Sequence, residues 1–259
     1  MQDCKISNTF RKYLLILIFL FLDIHIVKVY GYHSNGTSVI ASADWGARRD
    51  HTSLVYNNKI YVIGGTYAYF RDVWTSDDGG VTWSVSSPNW SGRFGHTSVV
   101  TNNTIYVMGG HNNNEVNDVW SSIDGGDTWT RIVLNAEWSI RREHSSVVYN
   151  NKIYVLGGRH SSAYNDVWSS ADGGLTWVEV TPAAAWGVQF GHTSVVYNNK
   201  IYVLGNGEVW SSSDGGVDWI AVTTTPGWGA RTEHSSVVYD NRIYVLGGKD
   251  GSTFYNDVW

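Results

Sequence analysis

From Ser145 to Tyr149, and again from Lys152 to Leu156, the chain runs through β-branched and aromatic residues, the two runs parted only by Asn150-Asn151. Asparagine tolerates positive φ, so the pattern predicts two antiparallel strands joined by a two-residue hairpin turn. Gly157-Gly158 ends the second run, a polar loop follows, and Asp166-Val167-Trp168-Ser169 predicts a third strand. The turn Ser170-Ala171-Asp172-Gly173-Gly174 then leads through Trp177 into a fourth. These strands are called A, B, C and D below.

The same order of elements recurs five times, each copy opened by a tryptophan: Trp45, Trp90, Trp138, Trp186 and Trp228. The period is 42 to 48 residues, the range in which one propeller blade is built from four strands. All 14 tryptophans fall into three columns of the repeat, at its opening, in strand C and after the Asp-Gly-Gly turn. That regularity predicts rings packed between blades, since a dedicated ligand platform would stand outside the pattern.

The expected fold is therefore all-β: a propeller of five four-stranded blades spanning 32–259 as one domain. The fifth copy stops at Trp259, after strand C. Residues 37–42, Thr-Ser-Val-Ile-Ala-Ser, stand at the spacing from Trp45 at which a strand D would lie, so the N-terminus is expected to supply the missing strand beside Asn256 to Trp259. A sequence truncated after Trp259 is the competing reading. In an up-and-down blade the A–B and C–D turns share one face of the disc, and the B–C loops and D–A connections share the other. The B–C loops vary between copies, and in the fourth they shrink to Gly205-Asn206-Gly207. Variation on a rigid scaffold is where recognition resides.

The run Ile-Tyr-Val-Leu-Gly-Gly, followed by Asn-Asp-Val-Trp and preceded by Arg-x-x-His, resembles the kelch repeat of galactose-oxidase-like propellers over residues 45–259. The turns Ser76 to Trp83, Ser122 to Trp129 and Ser170 to Trp177 resemble the Asp box (BNR repeat) of sialidase-like propellers. Ser212 to Trp219 departs from that motif, with Asp218 in place of Thr. The resemblance implies a propeller that binds a protein or glycan, and it implies that the Asp boxes are fold elements away from any active site.

At the N-terminus Lys5, Arg11 and Lys12 precede an apolar run from Leu14 to Leu22, and Val29-Tyr30-Gly31 offers small residues for cleavage. Residues 1–31 are read as a secretory signal peptide, with an uncleaved signal anchor as the alternative. Removal takes four of the 18 basic and two of the 23 acidic residues, leaving 14 against 21, a net charge of −7. Such a surface points away from nucleic acids and anionic membranes. Cys4, the single cysteine, leaves with the signal, so no disulfide is expected. Sequons at Asn35, Asn89 and Asn102 fall in turns or termini and would carry N-glycans in a eukaryotic secretory pathway.

Four residue sets are candidates for chemistry. Asp78, Asp124, Asp172 and Asp214 precede Gly-Gly and are expected to accept hydrogen bonds within their own turns rather than hold calcium. His51, His96, His144, His192 and His234 recur once per blade, too widely spread around a ring to share a metal, and are read as structural. Arg48, Arg93, Arg141 and Arg231, interrupted by Gln189, lie in the D–A connections, where guanidinium groups could hold ligand carboxylates; bracing the neighbouring blade is the alternative. Beside them Arg49, Phe94, Arg142, Glu143 and Phe190 differ from blade to blade, and with Arg159 and His160 of the third B–C loop they complete the candidate binding set. No catalytic residue, cofactor or metal is assigned. A galactose-oxidase copper radical needs a cysteine joined to a tyrosine, which the mature chain lacks. The expected function is a secreted, non-catalytic binding propeller, with a sialidase-like glycoside hydrolase or a self-associating surface or matrix protein as alternatives.

Overall fold

The computed structural model describes residues 38–259, and every regular element in that range is a β-strand. Blade 1 comprises β1 (Thr52–Tyr56), β2 (Lys59–Ile63), β3 (Val73–Ser76) and β4 (Ser84–Ser86); blade 2 comprises β5 (Thr97–Thr101), β6 (Thr104–His111), β7 (Glu115–Ser122) and β8 (Thr130–Val133). Blade 3 holds β9 (Ser145–Tyr149), β10 (Lys152–Arg159), β11 (Ala163–Ser170) and β12 (Val178–Thr181), and blade 4 holds β13 (Thr193–Tyr197), β14 (Lys200–Gly205), β15 (Glu208–Ser212) and β16 (Ile220–Thr223). Each of these four is an antiparallel meander in sequence order. The fifth repeat adds the hairpin β17 (Ser235–Tyr239) and β18 (Arg242–Leu246) and a short ribbon of β19 (Lys249–Asp250) with β20 (Thr253–Phe254).

The hairpin chemistry is as the sequence predicts. Both residues of each A–B turn, Asn-Asn in four repeats and Asp240-Asn241 in the fifth, sit at positive φ, as at Asn150 (48°) and Asn151 (59°), the geometry that matches the twist of the flanking strands. The second glycine of the pair lies against the histidine that leads into its own blade's inner strand: a Cβ on Gly158, at φ 91°, would fall 2.6 Å from the His144 Cβ. Only glycine permits that approach.

The apolar core lies between blades, not within them. Each hydrophobic cluster joins side chains of two neighbours, such as Tyr61, Ile63 and Val73 of blade 1 with Ile105, Val107 and Trp120 of blade 2. The opening tryptophan of each complete repeat meets the tryptophan that follows the Asp turn in edge geometry, with centroids 5.8 Å apart for Trp45 and Trp83 and 4.4 Å for Trp90 and Trp129. Hydroxyls of β1, β5, β9 and β13 reach the histidine of the following blade, as in Ser145 Oγ to His192 Nε2 at 2.8 Å. Burial is the first cause holding these imidazoles neutral. With the Arg93 charge it drives His96 down to about 3, with His234 it drives His192 to about 3, with Arg231 it drives His234 to about 4, and it takes His144 well below its ordinary value.

Two expectations are corrected. Four blades are complete, not five: in the fifth repeat the third segment forms no full strand and meets the end of β18 in a bridge between Leu246 and Val258, with Val245 and Trp259 exchanging backbone bonds and Gly247 N–H donating to Asp257 O. No fourth strand lies beside it among the described residues, and β17 and β1 do not pack as the other neighbouring inner strands do. The closing strand expected at 37–42 is not formed over 38–42, where Val39 and Ile40 are exposed and unpaired; residue 37 lies outside the described range. The edge offered to it is short, three residues around one bridge. Val258 is 62% exposed there, whereas its counterparts Val73, Val119 and Val167 are fully buried. The signal segment 1–31 and the Asn35 sequon also lie outside the described residues.

Candidate functional site

The arginine column points inward. Arg48, Arg93, Arg141 and Arg231 are buried, and each forks onto the aspartate of Asp-Val-Trp in its own repeat, Asp72, Asp118, Asp166 and Asp257. For Arg141 the two N···O distances are 2.6 and 2.7 Å, and Nη1 also donates to the Gly157 carbonyl at 2.8 Å. The aspartate in turn accepts the indole N–H two residues later, as Trp168 Nε1 does on Asp166 at 2.8 Å. With both carboxylate oxygens and both guanidinium edges engaged, these groups tie the D–A connection to strands B and C and leave no hydrogen-bonding edge for a ligand carboxylate. In the fourth copy Gln189 donates to Trp186 O instead, and Glu208 takes the indole of Trp210. The aspartates of this column are the residues that sequence reasoning passed over. Their signal was present in the recurring Asn-Asp-Val-Trp, at a near-constant distance from each arginine.

The Asp turns also close on themselves. Asp78 accepts from the backbone N–H and hydroxyl of Thr82 and from Ser76, bonds that hold its carboxyl down at about 2. Thr128 does the same for Asp124, also at about 2. Around Asp172 burial pulls upward, but the bonds from Thr176 and Ser170 outweigh it and leave about 2. Asp214 is lowered against the same burial by Ser212 and the backbone of Asp218 and Val217. The four turns stand on four separate blades.

What faces outward on the B–C/D–A side is the residue after each arginine, zipped to the residue after each Gly-Gly. Arg49 bridges Thr66, Phe94 bridges His111, Arg142 bridges Arg159 and Thr232 bridges Lys249. The side chains around these bridges join into one strip. Tyr69 of the first B–C loop, Phe94 and His111 form an aromatic cluster with centroids 5.0 to 6.0 Å apart. Glu115 follows, bonded to Arg142 Nη1 at 2.7 Å and His160 Nδ1 at 2.9 Å, with His111 Nδ1 3.3 Å away. Burial raises the Glu115 carboxyl, but its own backbone N–H, His160 and the Arg142 charge bring it below the usual value. Arg142 Nε lies 3.3 Å and Arg159 Nη2 2.8 Å from Glu143 Oε1, and the Arg159 guanidinium stacks 4.2 Å from the Phe190 ring. The B–C loop of Phe190's own repeat is only the two-residue turn Asn206-Gly207 between β14 and β15, both residues at positive φ. Of the residues read as a binding set, Phe94, Arg142, Glu143, Phe190, Arg159 and His160 are thus gathered. Arg49 stands apart with its side chain 55% exposed, 3.7 Å from Asp50. Tyr69, His111 and Glu115 were not singled out from the sequence, because only the fold brings their loops together.

Inside this strip the five inner strands surround an axial cavity of about 270 Å³, with Asp50, Glu143 and Glu233 at its edge. All three acids adopt left-handed φ of 55° to 57°, and Gly95 and Gly191 in the intervening blades stand at 61°. The backbone explains it. Gly95 N–H donates to Asp50 O, Glu143 to Gly95, Gly191 to Glu143 and Glu233 to Gly191, at 2.7 to 2.9 Å, a belt running from blade to blade around the axis. Among the described residues no group of three or more His, Cys, Asp or Glu is placed to hold a metal.

Comparison with known families gives two matches. The family model for the KLHDC2/KLHL20/DRC7 kelch-repeats domain matches residues 28–206, and the kelch motif matches residues 230–259. A search of curated proteins gave no match. Kelch propellers are protein-interaction domains, and this chain has their repeat, their all-β blades and their order of strands. The protein belongs to the kelch-repeat β-propellers.

Proposed function

We propose that this propeller is a non-catalytic, secreted module that binds a polypeptide partner on its B–C/D–A face. The observation that carries the reading is the strip from Tyr69 through Phe94, Glu115, Arg142 and Arg159 to Phe190, in which each side chain is held by a neighbour. Such pre-ordering lowers the entropy lost on binding, and aromatic and arginine side chains dominate protein interfaces. A hydrolase finds less support. Glu115 and Glu143 are both committed to cations, and the lowered Glu115 carboxyl is unsuited to donate a proton.

The test is selection of a displayed random-peptide library on the purified propeller, with a glycan array in parallel. Selected peptides should lose at least tenfold in affinity on Phe94→Ala or Arg142→Ala and keep it when Lys200 on the opposite face is changed to alanine. Equal loss at both faces, or sugars retained where peptides are not, would move the reading to another surface or ligand. Secretion is checked separately by the mass of the mature chain. A start at Tyr32 supports a cleaved signal; a start at Met1 supports the anchor.

A further inference from the structure

In three repeats the buried guanidinium is capped by an aromatic ring of its own blade, the residue four before the strand-C tryptophan. Phe70 lies 4.2 Å from Arg48, Tyr164 4.5 Å from Arg141 and Tyr255 4.2 Å from Arg231. In blade 2 that position is Val116. Its backbone is placed as in the others: the Val116 carbonyl accepts from Arg141 N–H, as Phe70 O does from Arg93 and Tyr164 O from Gln189. The ring is missing while the chain that would carry it is in register.

A cavity of about 250 Å³ lies at that place, bounded by Val116, the Arg93–Asp118 pair and Trp120. Its outer wall is Arg131, whose guanidinium sits 5.6 Å from the Trp120 ring, a position taken by Val85, Glu179 or Ala221 in the other complete blades. Amides of Asn112 and Asn135 stand at the rim. The cavity therefore combines an aromatic wall, two guanidinium groups and a polar mouth.

We infer that this cavity receives an aromatic side chain, phenylalanine or tyrosine, from the polypeptide partner. The molecule itself supplies the precedent: three times over, a phenyl or phenol ring stacked on the repeat arginine fills the equivalent space, and such stacking is favourable where water is excluded. Arg131 at the wall suits a phenol oxygen. The inference rests on the reading of this face as a polypeptide-binding surface, and it names the anchor that surface would take.

The probe is p-cresol, the tyrosine side chain as a free molecule, titrated into the purified full chain while the indole N–H signals are followed by NMR. Saturable binding with Kd on the order of 1 mM is expected for a ligand of this size, with the Trp120 signal shifting. Val116→Phe, which supplies the ring in cis, should weaken p-cresol at least tenfold without lowering Tm. Val116→Ala, which only enlarges the cavity, should retain it. No saturation, equal binding to Val116→Phe, or tighter binding of methyl β-galactoside than of p-cresol would overturn the inference. The two proposals fail separately. Peptides lost on Phe94→Ala but indifferent to Val116→Phe leave the face and remove the anchor. p-Cresol bound in a protein that selects no peptides leaves an aromatic pocket and removes its polypeptide occupant.

Discussion

At the scale of single residues, the arginine column separates two roles that look alike in a sequence. Arg48, Arg93, Arg141 and Arg231 lie in the connections of the variable face, yet each turns inward onto an aspartate 24 to 26 residues later. A linear pattern gives the spacing of the two columns but not the direction of a side chain, so the two columns were legible before folding and their pairing was not. Removing one partner leaves the other charged and buried, which is costlier than the pair is stabilising. Arg141→Ala is therefore expected to lower stability by about 3–5 kcal/mol, measured by urea unfolding. A loss under about 1 kcal/mol would mean that water reaches Asp166 once the guanidinium is gone. Arg142, one residue on and partly exposed, should leave the unfolding midpoint nearly unchanged on the same substitution.

The elements were largely legible. Asn-Asn turns and Asp-Gly-Gly turns depend on local backbone preference, and the structure places each where the residue pattern does, down to the two-residue hairpin at Asn206-Gly207. Gly-Gly, read as the end of strand B, is instead a register shift inside β6 and β10, which run on to His111 and Arg159. What local preference could not supply was the pairing of distant segments. Residues 38–42 carry the right residues at the right spacing, but a strand forms only against a ladder, and Asp257 to Trp259 offers a short one. The Asp turns allow a direct check. In three copies a threonine hydroxyl donates to the turn aspartate, whereas the fourth has Asp218, which brings a second negative charge and no donor. Asp218→Thr should stabilise the protein by roughly 0.5–1 kcal/mol, read as a rise in Tm. Thr128→Asp in blade 2 should lower it by a similar amount.

Across the whole molecule, stability is set at the seams between blades, and the seams are sensitive to acid. His96, His144, His192 and His234 stay neutral when folded, with values of about 3, well below normal, about 3 and about 4, against 6.5 when exposed. A depressed folded value means that the unfolded chain binds the proton first. Stability is thus complete above pH 6.5 and falls as the pH drops toward 4, the unfolding constant growing up to about tenfold per pH unit for each histidine. Urea midpoints at pH 7.5 and 4.5 measure it. His192→Gln should flatten the slope, and a midpoint constant across that range would refute the assignment. The backbone belt around the axial cavity bears on how such a molecule can change over time. Every link has the same sense, one amide offered back to the blade before and one carbonyl held open to the blade after, so each inner blade of the series is joined in the same way on both sides. A duplicated repeat inserted into the array would meet a waiting acceptor on one side and a waiting donor on the other. The number of blades is then limited by the angle at which the circle shuts, and lineages can gain or lose whole repeats without inventing a new joint.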